Sequence, residues 1–477
     1  MSEQKIKVVH EDEETMYQKR EPIHPRSIKG RFRTFKSSML LMAFAVFYFL
    51  PWVRWDHGSS VTQAVLYDLP NRRFYIFDLI VHPQDIYWLA GALIIFAWLL
   101  FFATSVVGRA FCGYFCFQTL WTDAFMFIER WIQGDRPAQI KLDKMPWNAQ
   151  KITRKGLTWL AWLVFAWWTG FTFTAYWVDA PTLFVEFFQG TAPQPAYFTI
   201  GLLTVITFVV AGFVREQVCF YMCPYARFQA VMFDKETLIP TYDAPRGEGE
   251  QGRTHLARGL KTQDERKAAG HGDCIDCGLC VQVCPTGIDI RNGLQIGCIN
   301  CGLCIDACDE IMDKQGWQHG LIRYASENEI ETGQKPHILK PKTIGYGLAI
   351  LVATGLLTWS IFNQAKMDFS VAQVRSPLAV LMADGRVQNS YEVKINNKLT
   401  RPLRLDMSLR DLPKGELELA GSTKDIVVPT DGYINMLVRV RQPMTTRGAQ
   451  QSFEFVLTDK DGELPPTTMS STFNMPR

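Results

Sequence analysis

Cys274-Ile-Asp-Cys277-Gly-Leu-Cys280-Val-Gln-Val-Cys284-Pro285 is followed, thirteen residues after Pro285, by Cys298-Ile-Asn-Cys301-Gly-Leu-Cys304-Ile-Asp-Ala-Cys308. Each run spaces its four cysteines by two, two and three residues. Two-residue gaps let three thiolates wrap three corners of one iron–sulfur cubane, and the fourth cysteine reaches the neighbouring cubane. The spacing thus assigns Cys274, Cys277, Cys280 and Cys308 to one [4Fe–4S] cluster, and Cys298, Cys301, Cys304 and Cys284 to a second. Gly278 and Gly302 suit close backbone approach to inorganic sulfide, and Ile275, Val281, Val283, Ile299 and Ile305 would form an apolar jacket. Structural zinc prefers two separated C-x2-C knuckles, so this dense packing argues against it. In the second run Asp309 replaces the proline, which removes a rigid turn but no ligand.

Outward from this segment the chain is apolar and aromatic. Its 477 residues are 13% aromatic and include 14 tryptophans, while a net charge of +3 gives no basis for a nucleic-acid partner. A spanning helix needs roughly 20 apolar residues. Five stretches qualify: Ser37–Val53, Ile86–Val107, Leu157–Val178, Ala196–Val214 and Thr343–Phe362. Lys and Arg crowd the N-terminal tail (Lys19 to Lys36), residues 108–155 and residues 215–342, and the two remaining loops hold only Arg72 and Arg73 besides Arg54, which bounds the first span. By the positive-inside rule the N-terminus and both cysteine-rich regions face the cytoplasm, and the C-terminal tail lies outside.

Four further cysteines form two C-x3-C pairs in a weak internal repeat, Arg109-Ala-Phe-Cys112-Gly-Tyr-Phe-Cys116 and Arg215-Glu-Gln-Val-Cys219-Phe-Tyr-Met-Cys223. Residues four apart on one helix share a face, so each pair is expected to present two thiols together at the end of a span. Three readings stay open: a copper site or additional iron–sulfur centre, since soft thiolates select Cu(I) and iron–sulfur; a dithiol relay; or cysteines packed as small hydrophobes. All eight histidines lie outside the spans, which argues against a membrane b-type haem. No phosphate-binding glycine motif points to a nucleotide. Ala244–Asp273, Gly-rich and charged, reads as a flexible linker. From Ser376 period-two strands such as Tyr391–Asn396, Leu403–Leu409, Asp425–Val428, Tyr433–Val440 and Ser452–Leu457 alternate with turns such as Asn396-Asn397 and Asp431-Gly432. About seven short strands suggest a cysteine-free immunoglobulin-like sandwich.

The fold expected is a multi-domain membrane protein: a five-helix transmembrane bundle, a bacterial-type two-[4Fe–4S] ferredoxin insert of α+β class, and a C-terminal immunoglobulin-like β-sandwich. Its parts are a basic cytoplasmic tail (1–36), a four-helix membrane domain with both C-x3-C pairs (37–233), a linker (234–272), the cytoplasmic ferredoxin domain (273–342), a fifth span (343–363) and a periplasmic sandwich (376–477).

With these features in this order, and above all Arg109 to Cys116, Cys219-Phe-Tyr-Met-Cys223-Pro-Tyr-Ala-Arg and Gly272-Asp-Cys274 onward, the chain resembles the CcoG/FixG/RdxA family. These polyferredoxin-like membrane proteins are accessory to assembly of cbb3-type cytochrome c oxidase. The resemblance implies a multi-pass protein of the bacterial inner membrane that reduces Cu(II) to Cu(I) for the oxidase copper site. It implies oxidase subunits and copper-handling proteins as partners beside membrane lipid, and it leaves the electron donor unnamed. Cys112, Cys116, Cys219 and Cys223 then become the candidate redox or copper site. A quinol-linked membrane carrier, and a non-enzymatic scaffold or redox sensor, are the competing functions.

Overall fold

In lipid every backbone polar group needs an internal partner, so long apolar runs fold as helices. The computed structural model describes residues 22–57, 61–257, 259–399, 401–419, 426–430, 432–446 and 448–476. Four helices are long and apolar enough to cross a membrane: Arg31–Trp52, Tyr87–Val107, Gln194–Val214 and Pro341–Phe362. The expected count of five is corrected at residues 157–178. They fall largely in the 27-residue helix Ala149–Ala175, where Trp159, Trp162, Trp167, Trp168, Thr169 and Gly170 dilute the aliphatic character.

The chain divides into two compact units, Met1–Trp55 with Thr62–Leu357, and Asp56–Val61 with Thr358–Arg477. In the first we name the helices α1 (Arg31–Phe49), α2 (Tyr87–Val107), α3 (Ala110–Tyr114), α4 (Phe117–Gln133), α5 (Ala149–Ala175), α6 (Gln194–Val209), α7 (Pro224–Val231), α8 (Leu279–Gln282), α9 (Leu303–Gln315) and α10 (Pro341–Phe362). α5 packs on α6 at a glycine: a Cβ on Gly170 would stand 2.8 Å from the Ile200 carbonyl oxygen. Small residues permit such close crossings. α4 is amphipathic. It buries Phe125 against Trp162 and carries two buried carboxylates, Asp123 and Glu129.

α1 begins six residues before the expected span. Its first N–H groups, Phe32 and Arg33, donate to the Asp306 carboxylate at 3.2 and 2.7 Å, so a residue 273 positions beyond Arg33 supplies the negative charge that a helix N-terminus favours. Residues 22–30, expected as free tail, lie on the cysteine-rich segment, with the Arg26 N–H donating to the Gln282 carbonyl at 2.8 Å. Residues 1–21 of that tail lie outside the described residues.

The cysteine-rich segment is closed by an antiparallel pair, β1 (Ile239–Tyr242) and β2 (Ile322–Ala325). The stretch expected as a flexible linker is folded against it. Arg246 pairs with Asp273 at 2.7 Å. Arg266 is fully buried, donates to the carbonyls of Gly272 and Cys274, and lies over Trp317. The charge that suggested solvation is consumed by internal hydrogen bonds.

The second unit is a two-sheet β-structure. One sheet has the order β6 (Glu416–Leu419), β8 (Tyr433–Pro443), β4 (Arg386–Asn397), β3 (Met367–Gln373), with Val380–Leu381 also pairing β4; the other is β7 (Ile426–Val428), β5 (Leu403–Arg410), β9 (Gln450–Asp459), β10 (Thr467–Asn474). Their facing side chains, including Tyr391, Val393, Val440, Leu405, Phe455 and Phe473, form one core. β3 begins before the expected boundary at 376, and the described residues between Met367 and Asn474 hold nine strands where about seven were expected. Asn396-Asn397 ends β4 rather than forming a turn. Asp425 and Asp431 lie outside the described residues.

Candidate cluster and thiol sites

The two cysteine runs repeat one backbone pattern. Asp276 and Asn300 have φ of 51° and 53°, Gly278 and Gly302 have φ of 64° and 70°, and each glycine stands just before a helix, α8 or α9. The repeated left-handed turns curl each C-x2-C loop around a concavity, which Gly tolerates freely and Asp or Asn better than most residues. The runs then diverge. After Cys284 the helix has ended and Pro285 turns the chain, whereas Cys308 sits inside α9, which Asp309 allows to continue to Gln315.

Cys274, Cys277, Cys280 and Cys308 line one cavity, with Ile311, Met312, Leu321 and Ile322. Cys284, Cys298, Cys301 and Cys304 line a second, with Ile288, Ile290, Ile299 and Leu303, and Cys280 borders it too. Cys277 is exposed, while Cys274, Cys298 and Cys301 are buried. Burial pushes the Cys280 and Cys298 thiols up to about 12, and those of Cys301, Cys304 and Cys308 are raised for the same reason. Neutral thiols in apolar cavities become ligands once iron displaces their protons. Among the described residues no three His, Cys, Asp or Glu groups converge closely enough to hold a single ion. The eight thiols line two cavities, four to each with Cys280 bordering both, which fits one cubane in each.

The C-x3-C pairs do not lie on continuous helices as the spacing suggested. Cys112 is in α3, which ends at Tyr114, and Cys116 stands immediately before α4. Cys219 is in a π-turn (Val218–Met222), and Cys223 stands immediately before α7. The four sulfurs nonetheless lie near enough to influence one another. Burial pushes Cys112 up to about 11, the guanidinium of Arg109 opposes this, and Cys116 and Cys223 add to it. Cys219 is pushed up to about 12, mainly by burial and then by Cys116 and Cys112. The Cys112 thiol donates to Gln229 Oε1 at 3.0 Å.

This quartet abuts the second cavity. A Cβ on Gly113 would fall 2.7 Å from the Ile299 carbonyl oxygen and 3.1 Å from Cys301 Cα. The Tyr114 hydroxyl donates to the Cys301 carbonyl at 2.8 Å, and the Asn300 amide donates to the Val107 carbonyl at 3.3 Å. Arg109, Tyr114, Asn300 and Gln229 went unassigned in the sequence. Of these only Arg109 carried a signal, its recurrence as Arg215 before the second pair.

Residues 214–327 match the family model of a 4Fe-4S dicluster domain, and residues 357–476 match that of the IG-like fold at the C-terminal of FixG. Protein RdxB of Cereibacter sphaeroides is 41% identical over 444 residues, covering 89% of this chain and 90% of that protein. Nitrogen fixation protein FixG of Rhizobium meliloti is 38% identical over 441 residues, covering 85% and 82%. The chain belongs to the FixG/RdxA family. Protein RdxA of Cereibacter sphaeroides, 42% identical over 393 residues, covers 80% of this chain and 81% of its own length. This FixG/RdxA-family chain is therefore an iron–sulfur redox protein with a dicluster domain for two [4Fe–4S] clusters, and its C-terminal unit is immunoglobulin-like.

Proposed function

We propose that this is a multi-pass protein of the bacterial inner membrane that reduces Cu(II) to Cu(I) during assembly of a cbb3-type cytochrome c oxidase. The carrying observation is the contact of Gly113 and Tyr114 with residues 299–301, which sets the C-x3-C thiols beside a cluster cavity. In this reading Cys274, Cys277, Cys280 and Cys308 hold one cluster, and Cys284, Cys298, Cys301 and Cys304 the other. When bound, the clusters supply low-potential one-electron chemistry. Cys112, Cys116, Cys219 and Cys223 bind the copper substrate, and soft thiolates favour its reduced form. By the positive-inside rule the cysteine sites face the cytoplasm, with oxidase subunits and copper carriers as partners.

The test is Cu(II) reduction by the purified, reduced protein with those four cysteines changed to serine. Cu(I) formation is expected to be lost while iron content is retained. Undiminished reduction would move the site elsewhere, and quinol-dependent cluster reduction in vesicles without copper reduction would favour the quinol-linked carrier.

A further inference from the structure

The repeat that opens each C-x3-C pair with an arginine is broken in its partners. Arg215 donates to Glu129 at 2.7 Å and lies over Trp162 at 5.3 Å, an ordinary buried ion pair with an aromatic cover. Arg109 is 2% exposed. One of its nitrogens donates to the Ile296 carbonyl, and its Nε is buried with no hydrogen-bond partner among the described residues. The groups that feel its charge are the sulfurs of Cys112 and Cys219 on one side and of Cys298 on the other. A buried guanidinium is costly unless something near it bears negative charge. Thiolates holding metal bear that charge.

The backbone around Arg109 leaves no slack. Gly108 has φ of 58°, and a Cβ there would run into the Asn300 amide. Asn300 in turn bonds to the Val107 carbonyl, and the Tyr324 hydroxyl donates to the Asn300 carbonyl. Residues 107–114 and 296–301 therefore form one rigid junction, and Arg109 is its only buried cation among the described residues of that junction.

We infer that Arg109 is a positioning residue that fixes the Cys298–Cys304 loop against the C-x3-C quartet, and that its charge raises the reduction potential of the cluster on that loop, making it the cluster nearest the copper substrate. The inference rests on the two-cluster reading above. A cation beside a cluster stabilises its more negative, reduced state, so removing the charge makes reduction harder. The other cavity, bordered by exposed Cys277, then belongs to the cluster facing the donor.

The experiment is a potentiometric titration followed by electron paramagnetic resonance on the full chain, wild type against Arg109→Gln and Arg109→Lys. Cys274→Ser and Cys298→Ser variants identify which signal belongs to which loop. Arg109→Gln is expected to shift only the signal altered by Cys298→Ser, to lower potential, and Arg109→Lys to keep that potential close to the wild-type value. Tyr114→Phe, which removes one hydroxyl and no volume, is expected to perturb the same signal and leave the other unchanged. A shift in the other signal, an equal shift in both, or no shift would overturn the inference. Absence of two cluster signals in the wild type would instead defeat the two-cluster reading, and this inference with it.

Discussion

Asp123 shows how a single residue on α4 holds α1, whose first turn grips the cluster segment. It is buried, 2.9 Å from Arg33 and 3.8 Å from Lys36. Burial works to raise its pKa, but Lys36 and Arg33 overcome this and hold the carboxyl below the usual carboxylate range. A depressed carboxylate adds stability above its unfolded pKa, about 3.9, and that stability is lost as pH falls through the lower folded value. Removing the charge strands two cations, so Asp123→Asn is expected to cost about 3–5 kcal/mol, read as a lower unfolding midpoint in detergent at neutral pH. The thiol quartet has the opposite sign. Because burial pushes Cys112 and Cys219 up to about 11 and about 12, metal must displace their protons. Cu(I) affinity, measured by chelator competition, is therefore expected to rise steadily from pH 6.5 to 8.5; a flat profile would show that these thiols do not ligate it.

At the scale of elements, α9 decides whether Cys308 is held. Asp309 lies within a helix that runs to Gln315, and proline there would remove a backbone bond and clash with the preceding turn. Asp309→Pro is expected to cost about 3 kcal/mol and to deplete iron from one cluster, measured as iron and sulfide per chain; full iron with an unaltered midpoint would contradict this. The first run keeps Pro285 because its helix has already ended. Much of this was legible in the sequence, because spacings of two, two and three are local and glycine marks the left-handed turns. Apolar runs and period-two strands were legible for the same reason. What escaped depends on contacts between distant residues. Asp306 caps α1, Arg266 lies over Trp317, and α3 breaks between Cys112 and Cys116 because the chain must turn into α4. A linker and a folded strap can share a composition; only their partners distinguish them. α5 was overcounted as an apolar run because indole rings look hydrophobic in a list of residue types, while Trp162 also carries an N–H that donates to the Phe125 carbonyl at 3.0 Å.

At the scale of the whole molecule, the immunoglobulin-like unit has its own core. Phe455 is fully buried there, in edge contact with Tyr391. Phe455→Ala is expected to cost that unit about 3–5 kcal/mol and to lower its unfolding transition, with cluster absorbance unchanged at temperatures below it. Loss of the clusters together with that transition would show the two units to be one cooperative system. The other unit brings together three sequence-distant parts: two cysteine runs, two C-x3-C pairs, and residues 22–30 leading into α1. In the proposed function electrons pass from the dicluster segment to copper through the junction at residues 107–114. Stopped-flow mixing of anaerobically reduced protein with Cu(II) tests this directly, following cluster absorbance and a Cu(I) chelate together. Wild type is expected to reoxidise its clusters in step with Cu(I) formation, and the variant with Cys112, Cys116, Cys219 and Cys223 changed to serine to keep its clusters but reoxidise at least tenfold more slowly, about 1.4 kcal/mol of barrier. Equal rates in the two proteins would contradict the account.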